Sequence, residues 1–243
     1  MRMLTFAKRC GKEILRDPLN LAFGLGFPLV LLALLSAIQR NVPVPLFEIQ
    51  ALAPGITVFG LSFMTLFSAT LVAKDRESAF LQRLYTTPLT GVDFIAGYML
   101  PILPIAVGQT LVCYLFAVVL GLPVGVSIVY AVLGVFPLSV FYVSLGLLCG
   151  SLLGVKQVGG ICGALLTNLS AWLSGVWFDL ELVGGFFRKI AYALPFVHGV
   201  EMERALLQGD FHAAGTHFLP VLLYSVGITA VAVLCFLRQM KKQ

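Results

Sequence analysis

Residues Phe94 to Val155 read FIAGYMLPILPIAVGQTLVCYLFAVVLGLPVGVSIVYAVLGVFPLSVFYVSLGLLCGSLLGV, a stretch without a single Asp, Glu, Lys or Arg. A helix crosses the hydrocarbon core of a bilayer in about 20 residues, so this run is long enough for two crossings. Gly121-Leu-Pro-Val-Gly125 carries the turn chemistry that divides them, giving expected spans at Phe94–Leu120 and Ser127–Leu153. Leu19–Ile38 and Ala51–Ala73 are equally free of charge, and Gln157–Phe178 and Thr216–Leu237 complete six expected transmembrane helices.

The composition agrees. The chain has 243 residues, 59% of them hydrophobic and only 11% charged, with a mean hydropathy of +0.99. A soluble domain carries roughly a quarter charged residues, so a water-soluble globule is excluded. The net charge of +5 is split into clusters between apolar runs and forms no continuous basic face, which speaks against nucleic acid as a partner. Cys10, Cys113, Cys149, Cys162 and Cys235 are scattered without a CxxC pair and imply neither a disulfide framework nor a metal site.

Short cytoplasmic loops hold the excess of Lys and Arg. With the N-terminus inside, the inner segments carry twelve of these residues and the outer ones four, Arg40, Arg188, Lys189 and Arg204. Both termini are therefore expected in the cytoplasm. The first apolar run exceeds a signal-peptide core and lacks an A-x-A cleavage pattern, so it reads as a retained span.

Three segments are not spans. Residues 1–17 form an amphipathic helix with Lys8, Arg9, Lys12 and Arg16 on one side and Phe6, Cys10 and Ile14 on the other. Its basic face suits an anionic membrane surface, and Pro18 ends it. Residues 74–90 place Phe80, Leu81, Leu84 and Tyr85 at helical spacing among charges before Pro88, as in a short helix projecting into the cytoplasm. Thr90 and Asp93 have capping-box spacing, which starts the third span near Gly91. Residues 179–215 hold two short helical segments separated by Pro195, expected as re-entrant or interfacial half-helices on the outer side.

Catalytic chemistry is absent from the pattern. His198, His212 and His217 lie near Glu201, Glu203 and Asp210 but without a recognised ligand spacing on one helix face, and read as solvated polar residues. Gly11-Lys12 is followed by Glu13 and preceded by no glycine at P-loop spacing, so the chain binds no nucleotide that way. The six spans contain no acidic, basic or histidine residue at mid-depth, which disfavours ion- or proton-coupled transport. What remains polar there is Thr65, Ser68, Gln109, Thr110, Thr167, Asn168, Ser170 and Ser174. These suit a passage for an amphipathic substrate, and interhelical hydrogen bonding accounts for them as well. Gly146, Gly150 and Gly154, then Gly159 and Gly163, recur every four residues and permit close helix contact, within one chain or across a dimer.

The pattern resembles the membrane subunits of ABC-2 type ATP-driven exporters. The segment Arg76-Glu77-Ser78-Ala79-Phe80-Leu81-Gln82-Arg83-Leu84 followed by Thr87-Pro88-Leu89 is similar to that family's run after its second span, with Ala79, Phe80 and Gln82 departing from the usual Gly, Thr and Glu. Leu194-Pro195-Phe196 with Glu201 to Gly209 is similar to the segment before its last span. The resemblance implies an all-α permease subunit in the plasma membrane. Such a subunit exports a hydrophobic or amphipathic substrate as a homo- or heterodimer, driven by a separate subunit that binds ATP and Mg. It further implies that the helix at Arg76–Leu84 docks in that ATPase, with Phe80, Leu81 and Leu84 buried and Arg76, Glu77 and Arg83 fixing register. A non-transporting sensor or immunity subunit, and a membrane scaffold or enzyme, are the other readings.

Overall fold

A computed structural model describes residues 2–78, 80 and 90–240. Among them the structure is helical, with no strand. Helix α1 is Arg2–Leu15; α2 runs Pro18–Asn41 through a π-turn at Ala22–Gly26; α3 is Ile49–Glu77; α4 is Gly91–Val119; α5 is Ser127–Leu152. Val155–Val158, Gly159–Leu166 and Thr167–Leu173 continue as one helix, α6, with a π-helical middle. Two short helices, α7 at Gly185–Ala193 and α8 at Pro195–Gln208, precede α9 at Phe211–Met240.

The caps fall where local chemistry puts them. Asp17 accepts the backbone N–H of Asn20 at 3.2 Å to start α2. Thr90 and Asp93 form the capping box that starts α4 at Gly91. Gly209, at φ +78°, ends α8 in the left-handed conformation that favours glycine.

Helices α2, α3, α4, α5 and α9 are each long and apolar enough to cross a membrane. They are packed unequally. Of the most apolar stretch of α3, 89% is buried in the protein, against 22% for α2 and 17% for α9. Val30, Leu34, Leu223 and Leu234 therefore stand exposed on the outer helices, an apolar surface that needs lipid to cover it. Helix α6 is continuous over 155–173 but shorter and more polar than the other five.

Small residues and hydroxyls set the centre. A Cβ on Gly146 would collide with Ser68 Oγ and the Thr65 carbonyl, and one on Gly150 with the Ala69 backbone, so this glycine ridge seats α5 directly on α3 within one chain. Thr65 Oγ1 donates to the Tyr142 carbonyl at 2.9 Å and Ser68 Oγ to the Val143 carbonyl at 3.1 Å. Ser225 Oγ donates to the Pro137 carbonyl at 2.7 Å, and Ser144 and Thr229 hydroxyls meet at 2.7 Å, joining α5 to α9. At about 1.5 Å per residue, α3 carries the chain about 36 Å from Ala51 to Asp75, and so has two well-separated ends.

Candidate functional site

At the Asp75 end, four helices and the chain beyond α3 meet. Phe6 of α1 lies edge-on to Phe94 and Tyr98 of α4, at centroid distances of 5.6 and 4.9 Å, over Gly97, where a side chain would leave it no room. Phe236 of α9 closes the cluster against Phe94 at 5.9 Å. The apolar face of α1, including Cys10 and Ile14, is thus spent on protein rather than on lipid. Gly11 packs within that face against Pro101.

Above this apolar seat sits a buried acid. Asp75, in the last turn of α3, has a side chain only 2% exposed. Arg9 donates to its two oxygens at 2.5 and 2.6 Å, and Tyr98 OH donates to Oδ2 at 2.9 Å. The same guanidinium pairs with Glu13 at 2.6 Å and lies 4.2 Å from the centre of the Phe80 ring. Burial works to lower the pKa of Arg9, but the Asp75 carboxylate outweighs it and leaves the guanidinium above its ordinary range. Burial pushes the neighbouring Cys10 thiol up to about 12, which leaves it unreactive. Lys74 adds a looser pair with Asp17, 3.6 Å away, tying the α1–α2 corner to α3.

The remaining sequence-derived residues fall into three groups. Arg76 and Glu77 belong to the last turn of α3, not to a separate helix. Arg76 donates to the Ser151 carbonyl and, at 2.6 Å, to the Leu153 carbonyl; Glu77 accepts the Val155 N–H at 2.8 Å, beside Gly154. The pair therefore closes the α5–α6 corner, satisfying the last carbonyls of one helix and the first N–H of the next. Leu81, Arg83 and Leu84 lie outside the described residues. Lys8, Lys12 and Arg16 are exposed along one stripe of α1, available to anionic groups.

The polar span residues do not share one passage. Thr65, Ser68, Gln109 and Thr110 are buried between helices, with Thr110 bonded back to the Ala106 carbonyl at 3.0 Å and Gln109 Nε2 3.4 Å from the Thr57 carbonyl. Ser174 likewise bonds to Ala171 within its own turn. Thr167 and Asn168, by contrast, line a groove of about 460 Å³ between α2, α3 and α6, walled by Phe23, Phe27, Phe63, Trp172 and Trp177. Gly163 opens onto this groove, and Gly159 faces open space.

The described residues form an apolar all-helical bundle with an amphipathic helix locked by Arg9 to the foot of its central span, and among them no three metal-ligating side chains cluster. The sequence matches the ABC-2 type transporter membrane family over residues 2–207. The chain is an ABC-2 type transporter membrane protein. No curated protein matches it closely. As an ABC-2 permease subunit it is a multi-pass membrane protein of a transport system with an ATP-binding partner. In that family setting, the Arg9–Asp75 junction is the element that binds α1, α3, α4 and the chain leaving α3 into one unit.

The sequence singled out Arg9 and Phe80 of the junction but not Asp75 or Tyr98, nor their union. Arg9 reads as one of four basic positions on a helix face, and Asp75 as one charge in a run of four; nothing local pairs two residues 66 positions apart. Glu203 reads in the sequence as a solvated polar residue, although Val200, Leu206 and Leu207 share its helical face. The structure buries it completely, with Tyr114 OH donating to Oε2 at 2.9 Å.

Proposed function

We propose that this chain is the transport half of an ATP-driven exporter for a hydrophobic or amphipathic substrate. Two membrane chains pair with two copies of a separate subunit that holds ATP and Mg2+. Both termini lie in the cytoplasm and the protein resides in the plasma membrane, a reading supported by the twelve-to-four distribution of basic residues. Helix α6 serves as a sixth span: its 19 helical residues reach about 28 Å, close to the bilayer core.

The observation that carries this reading is the clamp on Arg9. The segment that follows α3 would dock on the ATPase, and Phe80 within it lies against the guanidinium that also holds Asp75. A displacement of that segment on ATP binding is thereby delivered to α1 and α3 together. Only an element with different contacts in the two states transmits such a change, and the junction would carry it as one unit whose contacts with the ATPase differ between the states. The aromatic groove beside Thr167 and Asn168 supplies the surface an amphipathic substrate would meet between the paired chains.

The test is purification of the chain from its native membrane in mild detergent, identification of the co-purifying subunit, and assay of ATP hydrolysis and vesicle transport. Leu84→Asp is expected to remove the ATPase from the complex while the chain still inserts. Phe80→Asp is a less clean variant, since a new carboxylate there competes with Asp75 for Arg9. A complex that assembles and transports normally with Leu84→Asp overturns the docking assignment.

A further inference from the structure

Glu203 stands apart from the junction and from the groove. It belongs to α8, a 14-residue helix about 21 Å long that spans nothing. This helix packs against α3, α5 and α9: Gly199 sits on Leu138 and Val58, while Leu206 and Glu203 cover Gly134. Tyr114 lies five residues before the end of α4 and Gly134 seven residues into α5, which sets the carboxyl about 8–10 Å below the ends of those helices. One oxygen, Oε2, receives the Tyr114 hydroxyl; the other, Oε1, is buried without a hydrogen-bond partner among the described residues.

Among the described residues no cation compensates it. On its own helix, Glu201 and Arg204 pair with each other at 2.7 Å, and Arg204 is further held by the Ala51 and Gly175 carbonyls. His198 on α8 and His217 on α9 face each other, Nδ1 to Nδ1 at 2.9 Å. From α4 the group that reaches Glu203 is Tyr114, and from α5 it meets Gly134. An ionised carboxylate with one donor and no counter-charge in such a place costs several kcal/mol, so the group holds a proton instead.

We propose that Glu203 is a proton-binding site, occupied while α8 is seated against α4 and α5 and vacated to water when α8 moves out. The segment has corners at both ends for such a movement, Pro195 at its first turn and Gly209 in the left-handed conformation after its last. The step is a simple ionisation: the carboxyl O–H bond breaks as water enters, the proton leaves to solvent, and the carboxylate becomes hydrated. Burial pushes the Glu203 carboxyl up to about 8, with the Tyr114 hydrogen bond drawing it partly back. A group raised in the seated state favours that state fully below the ordinary carboxyl range near 4.3, and the advantage is lost as pH rises through about 8. Alkali on this face therefore unseats α8.

The full chain in lipid vesicles, titrated from about pH 7 to about pH 9.5, tests this by difference infrared spectroscopy of the protonated carboxyl band, together with amide exchange of α8 corrected for its intrinsic rate. The window lies above the ordinary titration of imidazole. The wild type is expected to lose the band with a midpoint near 8 and to show severalfold faster α8 exchange at the alkaline end. Glu203→Gln is expected to lack the band and keep α8 exchange flat. Tyr114→Phe retains the carboxyl without its donor and should move the midpoint upward, which decides the matter even where the Gln variant does not fold. A carboxyl already ionised at the start of the window, or α8 exchange with the same pH profile in wild type and Glu203→Gln, overturns the proposal.

Discussion

Asp75 and Glu203 are carboxyls with almost no exposed surface, set toward opposite ends of α3, and the protein treats them differently. Asp75 receives two guanidinium N–H bonds from Arg9 and the hydroxyl of Tyr98. Glu203 receives the hydroxyl of Tyr114, and its second oxygen faces Gly134. Both sites supply a tyrosine; the difference is one arginine. Where the arginine is present, burial yields a fixed ion pair that fastens an amphipathic helix to a span. Where it is absent, burial yields a group whose charge depends on whether water reaches it. A transporter needs both kinds of contact, one that moves as a unit and one that changes state.

The comparison breaks most sharply at Arg9. Arg9→Ala leaves Asp75 buried with Tyr98 alone and is expected to cost about 3 kcal/mol, between the values for exposed and fully buried pairs, since a third of the Arg9 side chain is in solvent. The variant makes Asp75 resemble Glu203, so adding Asp75→Asn should recover much of the loss. Thermal unfolding of the single and double variants in detergent measures this. No recovery on adding Asp75→Asn would show that charge is not what the pair contributes.

That contrast also marks what was legible in the sequence. Five apolar helices, the Thr90–Asp93 cap and the start of α5 at Ser127 follow from hydropathy and local turn chemistry, which need no knowledge of neighbours. The amphipathic pattern of α1 was equally plain, but not that its apolar face would be taken up by Phe94, Tyr98 and Phe236, because that depends on helices far along the chain. Glu203 was read as solvated since Glu201, Arg204 and Gln208 surround it in sequence. Its burial is decided by Gly134 and Tyr114, on two other helices. Arg76 and Glu77 resemble docking charges because α3 was expected to stop at Ala73, yet no helix breaker precedes Ser78 and the helix runs on.

A second expected effect concerns the packing between the two ends. Gly146→Ala forces a methyl into Ser68 and the Thr65 carbonyl and should cost about 2 kcal/mol, the usual penalty of overpacking. Gly159→Ala meets open space and should leave the stability of the single chain unchanged. If Gly159→Ala lowers the recovery of a cross-linked pair of membrane chains while unfolding is unaffected, the α6 face is the surface that pairs. Were Gly146→Ala silent, the seating of α5 on α3 would have to be looser than the hydroxyl contacts require.

The two tyrosines give a smaller and more discriminating measurement. Tyr98→Phe removes a hydrogen bond to a paired carboxylate and is expected to cost about 1.5–2 kcal/mol near neutral pH, whereas Tyr114→Phe removes one to a protonated carboxyl and should cost about 1 kcal/mol. Near pH 9 the gap should widen, because α8 is then unseated and the hydrated Glu203 carboxylate no longer takes the Tyr114 hydroxyl. A Tyr114→Phe cost that stays the same across pH would mean that α8 remains seated, against the reading of that end.

The smallest effect is at Glu77, and it separates the two roles assigned to that residue. Its carboxylate accepts the Val155 N–H at 2.8 Å, at the positive end of α6. Glu77→Gln keeps an acceptor oxygen and loses only the charge, so the corner should weaken by about 0.5 kcal/mol, visible as faster amide exchange at the start of α6 and nowhere else. Docking to an ATPase, as the resemblance implies for Arg76 and Glu77, would give the opposite pattern: an unchanged corner with reduced recovery of the partner subunit. Arg76→Ala serves as the companion measurement, because it strips donors from the Ser151 and Leu153 carbonyls and should disturb the same corner more strongly. If both variants loosen α6 and leave the partner bound, these charges end a helix and begin the next, and the docking surface starts beyond Ser78.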